Sequence, residues 1–144
     1  EAYYKPSTLD LGYTTSTKKT KANIKSYNDI GLAEIMALRT VSFTSKDDFD
    51  VEAIGFIAEE VAAVNPYLAG YGPDYAYDEL GHIVTEEYTD DEGRLQEKQV
   101  ILSDDLVPGG LSKLSFLVGL VNSVQELKAE NDKLWERLEL LENG

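Results

Sequence analysis

Ser16 and Lys21 bring a hydroxyl and an amine within five residues of each other, in the run Ser16-Thr17-Lys18-Lys19-Thr20-Lys21-Ala22-Asn23-Ile24. Serine is a weak nucleophile at neutral pH and needs a base. Lysine acts as one only as the neutral amine, a form favoured by burial or by neighbouring positive charge. Lys18, Lys19 and Lys25 place like charge around Lys21, so the pair has the makings of a self-cleavage site. On a regular helix, residues five apart point roughly 140° away from each other. The two side chains therefore meet only across a turn or between subunits. Taken alone, the segment reads more plainly as a solvated basic loop, with Asn23 as a turn residue and Ile24 as a core anchor.

Other groups offer less chemistry. His82, beside Gly81 in an acidic stretch, is expected to be exposed. Asp90-Asp91-Glu92 and Asp104-Asp105 are acidic enough for a divalent cation but lack the spacing of a calcium loop, and charge runs are usually solvated faces. Gly109-Gly110-Leu111-Ser112-Lys113 lacks the first glycine of a phosphate loop. No cofactor, nucleotide or metal is expected.

The composition narrows the setting. A chain of 144 residues with 42% hydrophobic content suits one domain with a core. It opens on Glu1, which suggests a segment of a longer polypeptide. The balance of 27 acidic against 13 basic residues, a formal charge of −14, repels phosphate backbones and argues against nucleic acid as a partner. No apolar run is long enough to span a bilayer, so no membrane role is expected. The absence of cysteine rules out disulfides and thiolate metal sites and fits a reducing cytosol.

Several elements must position the pair. Leu9, Leu11 and Tyr13 alternate with polar or small residues as a half-buried strand does. Asn28 and Asp29 are candidate caps for a short helix carrying Leu32, Ile35 and Met36. Val41 and Phe43, a polar turn, and then Ile54 and Phe56 predict a β-hairpin. Residues 58–64 predict a helix with Ile57, Val61 and Val64 on one face, ended by Pro66. Phe56 to Val61 is expected in the core and at a subunit interface. Residues 67–77, with four tyrosines among Gly70, Gly72 and Pro73, have loop composition. Residues 83–88 and 95–102 predict a second, projecting hairpin around the turn Asp90-Asp91-Glu92-Gly93. Pro108-Gly109-Gly110 is expected to break the chain before a final helix.

That helix carries the clearest periodicity. Leu117, Leu120, Val124, Leu127, Asn131, Leu134, Leu138 and Leu141 alternate by three and four, as the core positions of a heptad seam do. The seam runs roughly 37 Å at about 1.5 Å per residue, more than so small a domain covers, which predicts self-association. Leu114, Phe116 and Val121 widen the stripe at its start, where the helix is expected to pack on the globular part. The periodicity does not choose between two and three strands.

Three landmarks in order carry a resemblance: the Ser16 to Ile24 run, Ile54-Gly55-Phe56-Ile57-Ala58-Glu59-Glu60-Val61, and Leu127-Lys128-Ala129-Glu130-Asn131 in the coil. Together they resemble the self-cleaving C-terminal intramolecular chaperone domain of phage tailspikes and tail fibres, of the endosialidase type. Thr17 stands where that family usually has aspartate, and Thr20 where it usually has an apolar residue. The resemblance implies an α+β fold with a small antiparallel sheet, short helices and a long C-terminal coiled-coil helix, assembled as a parallel homotrimer. It implies that Ser16 is the nucleophile, Lys21 the general base and Thr15-Ser16 the scissile bond. The partners implied are two further copies and the upstream fibre or spike passenger of the same polypeptide. Residues 1–15 would then end that passenger, 16–110 form the globular part with its acidic hairpin, and 111–144 the helix, coiled from about 117. The setting implied is the host cytoplasm during phage assembly. Two alternatives stand beside this: a non-cleaving trimerisation or attachment module that stays joined to its fibre, and a relative that releases transcription factors from eukaryotic membranes.

Overall fold

Val41–Thr44 (β1) and Glu52–Gly55 (β2) pair antiparallel with Val41 opposite Gly55 and Phe43 opposite Ala53, in a computed structural model that describes residues 16–144. This is the expected first hairpin. The strand expected around Leu9 to Tyr13 lies outside the described residues. Leu32–Ala37 forms a helix (α1) ahead of the hairpin, and Ala58–Val64 a second (α2) behind it. Pro66 ends α2 as expected and opens a 3-10 turn, Pro66–Leu68.

The cap of α1 differs from the sequence expectation. Gly31, rather than Asn28 or Asp29, occupies the N-cap, and its amide donates to Glu34 Oε2 at 2.9 Å. The amide of Leu32 donates to Glu126 Oε2 at 3.1 Å, so a carboxylate from the far end of the chain satisfies an orphan donor of the first turn. A Cβ on Gly31 would stand 2.1 Å from Glu126 Oε1. A side chain at position 31 would displace the carboxylate from that place.

The tyrosine-rich stretch is a strand, contrary to its loop-like composition. Ala69–Tyr75 (β3) pairs antiparallel with Ile101–Leu111 (β6), and the expected break at Pro108-Gly109-Gly110 lies inside β6. In a two-stranded ladder every strand is an edge, so the missing donors of Pro73 and Pro108 can face outward. Register shifts at Gly70/Tyr71, Pro73/Asp74 and Asp74/Tyr75 absorb the mismatches. A Cβ on Gly70 would lie 3.4 Å from the Gly110 carbonyl carbon, close to ordinary van der Waals contact.

Between β3 and β6 the chain makes the expected projecting hairpin, Thr85–Thr89 (β4) with Leu95–Gln99 (β5). Its turn is held by Asp90, whose carboxylate accepts from the amides of Glu92 and Arg94 and from Arg94 Nε, while Gly93 takes φ of 79°. These bonds draw the Asp90 carboxyl below its ordinary range. At its root three strands meet: Ala76 donates to Val100, Val100 to Val84 and Val84 to Ala76, each at 2.9 Å. The class is thus α+β as expected, with three two-stranded ladders among the described residues in place of one small sheet.

Lys113–Glu142 forms the long last helix (α3), capped by Ser112, whose hydroxyl accepts from the Ser115 amide at 3.4 Å. Its first turns pack on the globular part as expected. The packing face consists of Phe116, Gly119, Asn122, Ser123 and Glu126, whereas Leu114 and Val121 stay exposed. The core is Ile30, Val61 and Leu68, with Ile35, Leu38, Phe56, Val64 and Phe116 around it, and the rings of Phe56 and Phe116 lie 5.0 Å apart. Phe56 and Val61 are therefore core residues, as read. At about 100° per residue, the leucine seam points roughly 100° away from the packing face. Its leucines and Val124 are 48% to 78% exposed.

Gly119 permits the close approach of α3. A Cβ there would stand 2.6 Å from Ile30 Cγ2 and 3.0 Å from Ile35 Cδ1. Gly119→Ala gains about 1 kcal/mol of helix propensity but overpacks a site whose neighbour Ile30 is almost wholly buried, at a cost of about 1–3 kcal/mol. The urea midpoint is expected to fall. A raised midpoint would show that Ile30 yields at little cost.

Candidate active site

A 3-10 turn, Lys18–Thr20, folds the chain back so that Lys21 Nζ donates to Ser16 Oγ at 3.2 Å. The two side chains thus meet across a turn, one of the two routes open to them. Thr17 caps this turn: its Oγ1 accepts from the Lys19 amide at 3.3 Å, and its carbonyl accepts from the Thr20 amide at 3.2 Å and from Thr20 Oγ1 at 3.0 Å. The Lys21 amide donates to the Lys18 carbonyl at 3.2 Å. Threonine and aspartate are both N-cap formers, so Thr17 fills a role that the usual aspartate would also fill. Thr20 thus adds a second bond to the same carbonyl.

Asn23 sits at φ of 54°, the left-handed conformation that asparagine tolerates, and is a turn residue as read. Ile24 is not a core anchor. It is 62% exposed, in a stretch, residues 22–26, that lies wholly on the surface. Ser16 and Lys21 are exposed too. Thr15, the other half of the expected scissile bond, lies outside the described residues.

The loop joins the globular part through α3. Asn122 Nδ2 donates to the carbonyls of Tyr27 at 3.0 Å and Ile30 at 2.9 Å, and the Tyr27 ring stands edge-on to Tyr67 at 6.3 Å. Sequence reasoning missed Asn122 and Glu126. The available signal was a polar residue inside the apolar run Val118-Gly119-Leu120-Val121-Asn122. The seam residues Leu117, Leu120, Val124, Leu127, Asn131, Leu134, Leu138 and Leu141 all lie on α3 and are exposed.

His82 is exposed, as expected, but it has partners. Its Nε2 lies 2.8 Å from Asp47 Oδ2, across from the β1–β2 loop, and its Nδ1 lies 3.8 Å from Asp78 Oδ2. The bond to Asp47 and the charge of Asp78 raise the imidazole above its ordinary 6.5. The Ser45 hydroxyl, then His82, hold Asp47 below its ordinary 3.8. A raised histidine stabilises fully below the unfolded value and loses its contribution as pH rises through the folded one; a depressed aspartate stabilises above its unfolded value and loses its contribution as pH falls through the folded one. The tie is therefore strongest between about pH 4 and 6.5 and weakens on the alkaline side. Titrating the His82 ring protons by NMR is expected to give a midpoint above 6.5, which Asp47→Asn lowers. A midpoint at or below 6.5 would contradict the tie.

Asp90 serves its turn, and Asp104 and Asp105 lie within β6. Among the described residues no helix is long and apolar enough to cross a membrane.

The molecule is thus a small α+β domain with a hydroxyl–amine pair on one loop and an unpartnered apolar seam on its last helix. Residues 16–70 match the model of the peptidase family described as chaperone of endosialidase. Over that span the resemblance carried by the first two landmarks is shown, and the match begins at Ser16. The coil landmark lies beyond the matched residues. No curated protein matches the chain.

Proposed function

We propose that this chain is an intramolecular chaperone that aligns three copies of a phage tailspike or fibre-type protein through α3, promotes their folding and then releases itself by cutting Thr15-Ser16. The observation that carries the cleavage half is the 3.2 Å approach of Lys21 Nζ to Ser16 Oγ. Neutral Lys21 takes the proton of Ser16 Oγ as the oxygen attacks the Thr15 carbonyl. Collapse breaks the Thr15–Ser16 amide, leaving Thr15 esterified to Ser16 Oγ and the Ser16 nitrogen free as an amine. Water then hydrolyses the ester, and the products are a Thr15 carboxylate and a new N-terminus at Ser16.

Both side chains are exposed in the single chain, whereas a lysine base needs burial or neighbouring positive charge to favour the neutral amine. Assembly supplies the missing condition when neighbouring copies cover the loop and desolvate Lys21. The self-association half is supported by the fold itself. Among the described residues three large side chains are fully buried, worth about 1.5–3 kcal/mol each, which is a small core. Leu117 to Leu141 meanwhile leave an apolar seam in water. Cutting also has a thermodynamic use: once the template is gone, the folded passenger cannot unfold by reversing its assembly path, so kinetic stability rises without a stronger interface.

Sedimentation equilibrium tests the assembly half. Three times the chain mass is expected at micromolar concentration, and a monomer there would overturn it.

A further inference from the structure

We propose that Asn122 and Glu126 are positioning residues that make the geometry of the cleavage loop depend on assembly of the coil. This deepens the reading of Ser16 and Lys21 given above and rests on it.

The argument starts from what anchors the loop. Residues 22–26, just after Lys21, are exposed and belong to no helix or strand, and the next held segment is Tyr27 to Leu32. α3 grips that segment at three levels. Asn122 Nδ2 bonds two carbonyls, those of Tyr27 and Ile30. Glu126 Oε2 takes the Leu32 amide, with its carboxylate lying over Gly31, where a Cβ would displace it. Gly119 admits Ile30, which is 1% exposed. A primary amide with both hydrogens on backbone carbonyls fixes position and direction together, because the donors diverge at a set angle. The polar contacts that fix the root of the loop therefore come from α3, while Tyr67, Val61 and Leu68 pack against the same segment from the globular part.

The gripping residues and the seam share the same turns of α3. Leu120, Val124 and Leu127 alternate with Gly119, Asn122, Ser123 and Glu126 on faces roughly 100° apart at about 100° per residue. A coil that closes on the seam sets the rotation of α3 about its own axis. The same rotation then sets where each loop root stands relative to the neighbouring subunit. Misplacing a reacting group by about 1 Å costs on the order of a hundredfold in rate, so a root held by three contacts on the assembling helix makes cleavage conditional on correct assembly.

The test uses the chain extended upstream of Thr15, with cleavage followed by denaturing gel and assembly by sedimentation. Asn122→Ala and Glu126→Ala are expected to slow cleavage by about tenfold or more while sedimenting as the trimer. Glu126→Gln, which keeps an acceptor for the Leu32 amide, restores most of the rate. A Gly-Ser-Gly-Ser insertion after Lys25 leaves pair, grip and coil untouched, yet cleavage falls by roughly a hundredfold, because the root no longer aims the loop. A merely structural role for the two residues predicts no effect of the insertion. Full-rate cleavage by the insertion variant overturns the proposal and spares the Ser16–Lys21 reading. An uncut wild type overturns that reading instead, and amide exchange then decides the grip: protection of Tyr27 to Leu32 must fall in assembled Asn122→Ala, and unchanged protection overturns it.

Discussion

Leu134→Asp is expected to convert the assembled protein to a monomer and to stop cleavage at Thr15-Ser16, although residue 134 lies far along the chain from Ser16. Leu134 stands about two turns beyond Glu126 on the part of α3 that leaves the globular body, and it is 56% exposed in the single chain. A carboxylate there costs the monomer almost nothing. In a closed seam each copy buries one, without a cation opposite, at several kcal/mol per ion. Three such charges meet at one level of the coil, so dissociation outweighs any local rearrangement. The core around Ile30, Val61 and Leu68 takes no part in the change, so the hairpins should keep their amide protection. A monomer that still cuts at full rate would show that the pair works within one chain and that the coil serves folding alone.

Ser16→Ala and Lys21→Arg are expected to leave the trimer intact and to abolish cleavage. When a nucleophile and its base act as a unit, loss of either costs on the order of a millionfold, which for a single-turnover cut means no fragment on any practical timescale. Arginine tests the base directly. Its guanidinium keeps positive charge and can still donate to Ser16 Oγ, but it stays protonated at any usable pH and cannot accept the proton. Cleavage surviving Lys21→Arg would assign Lys21 to the structure of the loop.

The sequence was most legible where periodicity was strong. Two hairpins, α2 and the long α3 fall where alternation and heptad spacing put them, because the spacing of apolar residues follows the period of the element, although the strands of both hairpins are largely exposed in the single chain. The β3–β6 ladder was hidden by the meaning usually given to Gly and Pro. Those residues break central strands, but in a two-stranded ladder both edges are free and bulges absorb the misfit. The Ser16–Lys21 pair was legible in residue type and in the need for a turn, whereas Thr17 as the cap of that turn required coordinates. Asn122 and Glu126 were invisible because their partners lie about ninety residues away, and backbone carbonyls and amides leave no trace in residue identity. Ile24 misled in the opposite way. Its apolar side chain suggested burial, while the single chain leaves it in water.

The most direct measurement is the denaturing mass of the chain expressed with its upstream residues, taken after full assembly. Two species are expected: a fragment beginning at Ser16 and its complement ending at Thr15, the pair together heavier than the intact chain by one water. A single uncut mass from protein shown to be trimeric would contradict the account.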